Sequence, residues 1–408
     1  MADWDGGLPD LRRLRAFHET ARSGSARSAS VRLGATQPAV TYLLKQLEKQ
    51  LGVQLFERSA KGSVATAQGR LLALRSERFF SQLLSAIQEQ IPDRTDKACA
   101  KIASRLTTAQ IRSVIAVWQT PEISEAARQL AISGQWVVRH VRSLERLLSV
   151  KLLEVAKGRA FPTAAGRELA RNLTLAAQEI WSAIEDFDVD HRSYRRGLRV
   201  GALMLSPRTT LTGALNTVLA RSPASAVEIV EGSYEELIVQ LRNGDIDAIF
   251  GALRDPPPHA DVCEERFHED PYVVACRRGH PLTRLNQITT NDLANYDFVF
   301  PTAGLRRRIL EEFTTAHGIE LKAQVHTSWL ASIIAMIRSS DRLAILSRWH
   351  IDVDGVSDIQ RLDRVALRHE PRYVGLTTRR SWSPTLFQRD FVETLRALAP
   401  GLTGQSAG

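Results

Sequence analysis

Recognition chemistry outweighs reaction chemistry in this chain. Gln37 carries an amide able to read a base edge, and Lys45, Arg58 and Lys61 downstream of it can neutralise phosphates. Asp245 and Asp247 flank one residue before an apolar run, which invites a metal or acid–base reading, but a turn of this kind more often shapes the backbone. The ten histidines are scattered without the helical spacing of a zinc site. No phosphate-binding glycine loop or nucleophile elbow occurs either. No catalytic residue, metal or cofactor is therefore expected, and the chain reads as something other than an enzyme.

Three short helices and a hairpin must position the recognition residues. Leu11, Leu14 and Phe17 fall on one helix face that Gly24-Ser25 breaks, and Ala26, Ala29 and Leu33 mark a second helix over residues 25–33. Gly34-Ala35 turns, Thr36 can cap a third helix, and Pro38 suits its first turn. That helix runs to about Gln50 and is expected to bury Val40, Leu44, Leu47 and Leu51. After Gly52, Val53 to Phe56 and Val64-Ala65 read as two strands of a wing around a polar loop. Two helices joined by a tight turn, with a basic polar outer face, have the geometry that lays a helix in the major groove.

Charge supports a polyanion partner. The 408 residues allow about two to four domains. Their 44% apolar and 24% charged content is that of an ordinary folded protein. The net charge of +9 divides unevenly: residues 1–105 hold 17 Lys and Arg against 10 Asp and Glu, residues 106–196 hold 13 against 10, and residues 197–408 hold 24 against 25. A basic half joined to a neutral half separates a task on a polyanion from a second task, with double-stranded DNA favoured over a membrane surface. The longest apolar stretch, Trp329 to Ile337, is far short of the about 20 residues of a membrane span. Met1 to Leu11 lacks a secretory pattern, and Cys99, Cys263 and Cys276 are odd in number and widely spaced. A cytoplasmic, nucleoid-associated protein without a membrane partner is expected.

The chain also repeats itself. Without gaps, residues 11–72 align with residues 108–169: Ala29 with Ala126, Val40 with Val137, Leu47-Glu48 with Leu144-Glu145, Leu55 with Leu152, and Thr66-Ala67 and Gly69-Arg70 with Thr163-Ala164 and Gly166-Arg167. Each copy is followed by an amphipathic stripe, Phe80, Leu84, Ile87 and Ile91 in the first, and Leu169, Leu173, Ala176, Ile180, Ile184 and Phe187 in the second.

The first copy, through Gly24-Ser25, Ala29, Leu33, Thr36 to Thr41, Leu47-Glu48, Leu51-Gly52-Val53, Leu55 to Arg58, Thr66 and Gly69, resembles the winged helix-turn-helix of LysR-type transcriptional regulators. The resemblance implies that residues 36–45 are the recognition helix, with Thr36, Gln37, Pro38 and Thr41 facing DNA, Ser25 and Lys45 nearby, and Arg58 with Lys61 on the wing. The second copy departs where DNA would be read. Gln37-Pro38-Ala39 becomes Gly134-Gln135-Trp136, Gly52 becomes Ser149 and Arg58 becomes Val155, while Arg128, Arg139, Arg142 and Arg146 keep it basic. Either it reads another sequence, through Arg139 and Arg142, or it has become a spacer and dimerisation module; its thin charge and Trp136 favour the spacer. The family pairs such linker helices between chains, so one of the two stripes is expected to form a homodimer seam.

From Gly197 strands alternate with helices, which predicts an α/β domain with a largely parallel sheet: strands at 198–203, 226–230 and 248–253, helices at 209–219 and 234–242. Gly197 to Gly201, Val227 to Gly232, Leu241 to Asp247, Gly279 to Leu282 and Leu343 to Ser347 resemble the family's effector domain, which has the two-lobed fold of periplasmic binding proteins. The resemblance places the effector among Ser206, Pro207, Arg208, Ser233, Arg254, Pro301, Thr302, Thr327 and Ser328, which suit a small polar or anionic metabolite. It looks closest to members linked to sugar or aromatic-compound metabolism.

The expected architecture is thus two helical winged helix-turn-helix domains, residues 1–92 and 106–191 with a connector at 93–105, followed by an α/β effector-binding domain at 192–408. Lobe I of that domain should span about 197–266 and 364–400, and lobe II about 267–363. The expected partners are DNA, the metabolite, a second copy of the chain as a homodimer or homotetramer, and RNA polymerase. The alternative is a small-molecule binding protein without DNA readout.

Overall fold

The computed structural model describes residues 7–59, 62–187, 197–203, 208–254, 256–302, 304–352, 358–365, 367 and 371–399. Its chain divides into two compact units, Met1–Arg196 with Ser383–Leu386, and Gly197–Trp382 with Phe387–Gly408.

In the first unit α1 (Leu11–Ser23), α2 (Ala26–Leu33), α3 (Gln37–Leu51), β1 (Phe56–Ser59), β2 (Gly62–Ala65) and α4 (Ala67–Gln90) are followed by α5 (Asp96–Arg105). The same order then returns as α6 (Thr108–Gln119), α7 (Ile123–Leu130), α8 (Gly134–Leu148), β3 (Leu153–Ala156), β4 (Arg159–Pro162) and α9 (Ala164–Phe187). The three short helices of each copy pack on one another around Leu11, Leu14, Phe17, Ala29, Val40 and Leu47, or their counterparts. Leu51 is only half-buried, because it ends α3. The stretch between the copies is itself helical and buries Cys99 and Ile102.

Close approach explains the repeated Thr and Gly pairs. Thr66 caps α4 by accepting the Gly69 N–H at 2.9 Å, and a Cβ on Gly69 would sit 2.0 Å from the Leu55 carbonyl oxygen. Thr163 and Gly166 repeat the arrangement, at 3.0 Å, against Leu152. Gly34 and Gly52 take the left-handed backbone region at helix C-termini, and the second copy holds Ala131 and Ser149 in that region, φ 53° and 60°. A Cβ there is strained by about 1 kcal/mol.

The linker helices correct two expectations. The stripe buried on α4 is Leu72, Phe79, Leu83, Ala86 and Ile87; Phe80 and Leu84 are half-buried. On α9 the expected stripe is buried apart from half-buried Ile184. The two stripes cover each other instead of standing open for a second chain: α4 and α9 pack together inside one chain, and both copies share one hydrophobic core. The tether through α5 keeps the two stripes at high effective concentration, which favours the intrachain pair.

The second unit holds β5 (Leu198–Leu203), α10 (Arg208–Arg221), β6 (Val227–Gly232), α11 (Tyr234–Asn243), β7 (Ala248–Ala252), β8 (Val262–Glu269), β9 (Tyr272–Arg277), α12 (Thr290–Ala294), β10 (Phe298–Phe300), α13 (Leu305–His317) and β11 (Val325–His326). It continues with α14 (Leu330–Arg338), β12 (Leu343–Ser347), α15 (Arg348–Asp352), β13 (Ile359–Arg361), β14 (Tyr373–Arg379) and α16 (Leu386–Leu398). The strands form two five-stranded sheets, ordered β6-β5-β7-β14-β8 and β11-β10-β12-β9-β13. Each sheet is mixed where a largely parallel one was expected. In each sheet four strands run one way and one is reversed, β14 in the first and β9 in the second, the strands by which the chain enters each sheet from the other. Only Asp270 and Pro271 separate β8 from β9, so the chain passes from one sheet straight into the other. Buried Asp270 locks this passage, accepting from Arg372 at 2.6 Å, from Ser347 at 2.5 Å and from the Trp349 N–H at 3.0 Å.

Candidate DNA interface and effector cleft

The third helix of the first copy presents its first turn to solvent. Thr36 caps it, its hydroxyl accepting the Ala39 N–H at 3.4 Å, and Thr36, Gln37, Pro38 and Lys45 are exposed while Thr41 is half-buried. Ser25 caps α2 the same way, accepting the Ser28 N–H at 3.1 Å. With Val40, Leu44 and Leu47 turned into the core, the opposite face carries polar groups that nothing in the fold covers. The sequence analysis missed one aromatic member of this surface, Tyr42, 63% exposed. Helical spacing from Pro38 and Lys45 places Tyr42 on the same face. Lys61 lies outside the described residues, and for Arg58 only the backbone, in β1, is described.

A carboxylate fixes the wing against this helix. Glu48 Oε1 accepts the N–H groups of Leu55 at 2.8 Å and Phe56 at 3.2 Å. Glu145 Oε1 does the same for Leu152 at 2.8 Å and Leu153 at 3.0 Å. The sequence repeats the Leu-Glu pair in both copies, so the signal was present without its reason.

The second copy exposes a different surface. Trp136 is 49% exposed on α8, and the Arg139 guanidinium lies 4.9 Å from its ring centroid. The His140 ring Nδ1 sits 3.0 Å from the Ser113 hydroxyl, and burial, then the Arg139 charge, pulls its pKa down. Arg142 is paired with Glu145 at 2.8 Å, so its charge is partly spent inside the copy. Packing within the unit uses α9 and leaves the exposed face of α8 uncovered.

In the second unit the residues tied to the effector follow parallel strands, where ligands of such sheets bind. Ser206 and Pro207 lie outside the described residues, and only the backbone of Arg208, opening α10, is described. Ser233 follows β6 and exchanges capping bonds with Glu236, donating its hydroxyl at 2.8 Å. Pro301 is buried after β10, the Thr302 and Ser328 hydroxyls lie 2.8 Å apart, and the Thr327 hydroxyl accepts the Trp329 N–H at 3.1 Å. Arg254 follows β7 and, alone among the described members of this set, lines a cavity of about 850 Å³, together with Arg266, Arg308, Arg372, Tyr234 and Glu264. Its guanidinium stacks 4.3 Å from the Tyr234 ring centroid, and its N–H donates to Glu264 at 2.8 Å. Burial raises the pKa of Glu264 against the hydrogen bonds from Arg254, Thr377 and Tyr234. Sequence reasoning missed Tyr234, which directly follows Ser233, and it missed Glu264, Arg266, Arg308 and Arg372 because these come from β8, α13 and the residue before β14, farther along the chain.

Asp247 proves structural: buried, it accepts the Arg199 N–H at 2.9 Å. Among the described residues no group of His, Cys, Asp and Glu could hold a metal, and no helix is long and apolar enough to cross a membrane.

Comparison with known proteins meets this geometry at both ends of the chain. Residues 11–70 and again 108–167 match the bacterial regulatory helix-turn-helix proteins of the lysR family, and residues 191–400 match the LysR substrate binding domain. The HTH-type transcriptional regulator GalR of Pseudomonas putida is 28% identical over 92% of this chain and 94% of its own length. PcaQ of Agrobacterium fabrum, another regulator of this type, is 27% identical over 73% of this chain and 96% of its own. A full-length OxyR variant from Pseudomonas aeruginosa, 20% identical, shares the fold with a TM-score of 0.54, covering 74% of this chain and 99% of its own. With its helix-turn-helix segments and its effector half both matched, the chain belongs to the LysR family and is a DNA-binding transcriptional regulator.

Proposed function

We propose that both N-terminal copies are winged helix-turn-helix units, and that a small polar or anionic metabolite held between the lobes of a periplasmic-binding-protein-like domain controls how they engage DNA. Thr36, Gln37, Pro38 and Thr41 face the major groove, Ser25, Lys45, Arg58 and Lys61 meet the backbone, and Arg139 serves the second copy. The uncovered first turn of α3 is the observation that carries this reading: above a buried apolar face it exposes the Gln37 amide beside the Thr36 cap, and packing within the fold uses neither Gln37 nor Pro38. For the effector, the arginine-lined cavity and the Thr302 and Ser328 hydroxyls supply the donors an anion needs. The protein acts in the cytoplasm at the nucleoid, as a homo-oligomer joined through surfaces other than α4 and α9, with RNA polymerase as a further partner. The domain limits are those of the sequence analysis, with the connector folded as α5.

Footprinting on the DNA upstream of the gene tests this, using wild type, Gln37→Ala with Arg58→Ala, and Arg139→Ala with Arg142→Ala. Loss of the footprint in the first pair is expected, with a shortened footprint in the second. Protection unchanged in the first pair would refute the assignment of α3 as the reader. No footprint from wild type at any salt would leave a small-molecule binding protein without DNA readout.

A further inference from the structure

In a two-fold interface a contact between residues i and j recurs as one between j and i. The first unit shows this exchange between its own repeats. Arg75 lies 3.9 Å from Asp186, and the equivalents of these residues in the opposite copies, Asn172 and Glu89, form a hydrogen bond of 2.5 Å. Leu11 and Thr108 are each other's equivalents and touch directly, N–H to Oγ1 at 2.8 Å, as residues beside an axis do. Around the same point the equivalent carbonyls of Pro9 and Leu106 each accept from a side chain of the opposite copy, Thr108 and Arg15, both at 3.1 Å, although these two donors are not each other's equivalents.

The seam also forbids pairing of like with like. Buried Glu179 takes Arg75 at 3.0 Å and Arg78 at 3.2 Å. The equivalents of these three residues are Gln82, Asn172 and Leu175. A seam of two first copies would leave Arg75 only Glu89, in the place of Asp186, and Arg78 no carboxylate in the place of Glu179, and a seam of two second copies would bury Glu179 without an arginine. Unbalanced charge at the seam disfavours both. The readers differ as well: where the first copy shows Gln37, Thr41 and Tyr42, the second shows Gly134, Val138 and Arg139.

We infer that one chain pairs its two readers in cis about an internal two-fold, and that it recognises a DNA duplex with two unlike half-sites instead of a palindrome. The inference rests on the proposed role of both copies as winged helix-turn-helix units.

Two experiments on the full chain test it. Glu89→Cys with Asn172→Cys, treated with a short bis-maleimide beside a wild-type control, should give a one-chain product whose crosslinked peptides are 89 and 172. A two-chain product joined through these positions overturns the cis pairing. Selection from random-sequence duplexes should return two dissimilar blocks, with Gln37→Ala costing about tenfold in preference at one and Arg139→Ala a similar factor at the other. A palindromic motif, or one block insensitive to Arg139→Ala, overturns the unlike half-sites even when the crosslink lies within one chain. No recovered motif from wild type overturns the DNA reading beneath both.

Discussion

Replacing Glu145 by Ala should damage the second wing more than Glu48→Ala damages the first. One oxygen of each carboxylate accepts two consecutive backbone N–H groups. A hydrogen bond to a charged acceptor contributes about 1.5–3 kcal/mol, so losing two costs about 3–6 kcal/mol where water cannot replace them. Leu152 and Leu153 are 2% and 1% exposed, so the second wing suffers the whole loss. Phe56 is half-buried, so water restores part of it in the first, leaving about 2–4 kcal/mol. Gln separates charge from geometry. Because both N–H groups use one oxygen, the Gln carbonyl can serve them as a neutral acceptor, and Glu48→Gln should cost about 1 kcal/mol, less than Glu48→Ala. In the second copy the other oxygen holds Arg142 at 2.8 Å, a half-exposed pair that adds about 1 kcal/mol or less to the cost of Glu145→Gln. Hydrogen exchange across residues 53–66 and 150–163 of the full chain reads this directly, since 3 kcal/mol is about a 150-fold gain in local opening. An undisturbed second wing in Glu145→Ala, or equal effects of Ala and Gln in the first copy, would refute the reasoning.

Three further outcomes are expected. Ser149→Gly should raise thermal stability and Gly52→Ser lower it, by about 1 kcal/mol each, since both positions are left-handed and nothing lies within 4 Å of a Cβ on Gly52; changes of the same sign would contradict the strain argument. Lys45→Ala should lower the slope of log affinity against log salt by about 0.9, whereas Gln37→Ala should leave the slope and lose about tenfold on the preferred duplex. Fluorescence anisotropy at several salt concentrations would expose a reversal. His268 is buried with both ring nitrogens unpartnered among the described residues, and burial lowers its pKa from 6.5. Its contribution is full above that pH and is lost as the pH falls, because the unfolded chain takes up a proton that the folded one refuses. His268→Leu should flatten the urea midpoint between pH 7 and pH 5; an unchanged slope would show that another group titrates.

Local rules were legible in the residues themselves. Thr36 and Pro38 announced the start of α3, Gly24, Gly34 and Gly52 the ends of α1, α2 and α3, and the matching Thr, Gly and Leu-Glu positions announced the repeat, because caps, left-handed turns and close approaches each demand a particular residue type within a few positions. The five strands and helices read between residues 198 and 253 were legible for the same reason, each within a few residues of its observed limits, whereas the elements from β8 onward were not read. The reversed strands, the cavity around Arg254 and the partner of each linker helix were not, because each depends on segments far apart in the chain. An apolar stripe declares that a helix face must be covered and is silent about what covers it. Amphipathic spacing therefore identified α4 and α9, while only the tertiary structure, through Arg75 meeting Glu179 and Asn172 meeting Glu89, decided that they cover each other.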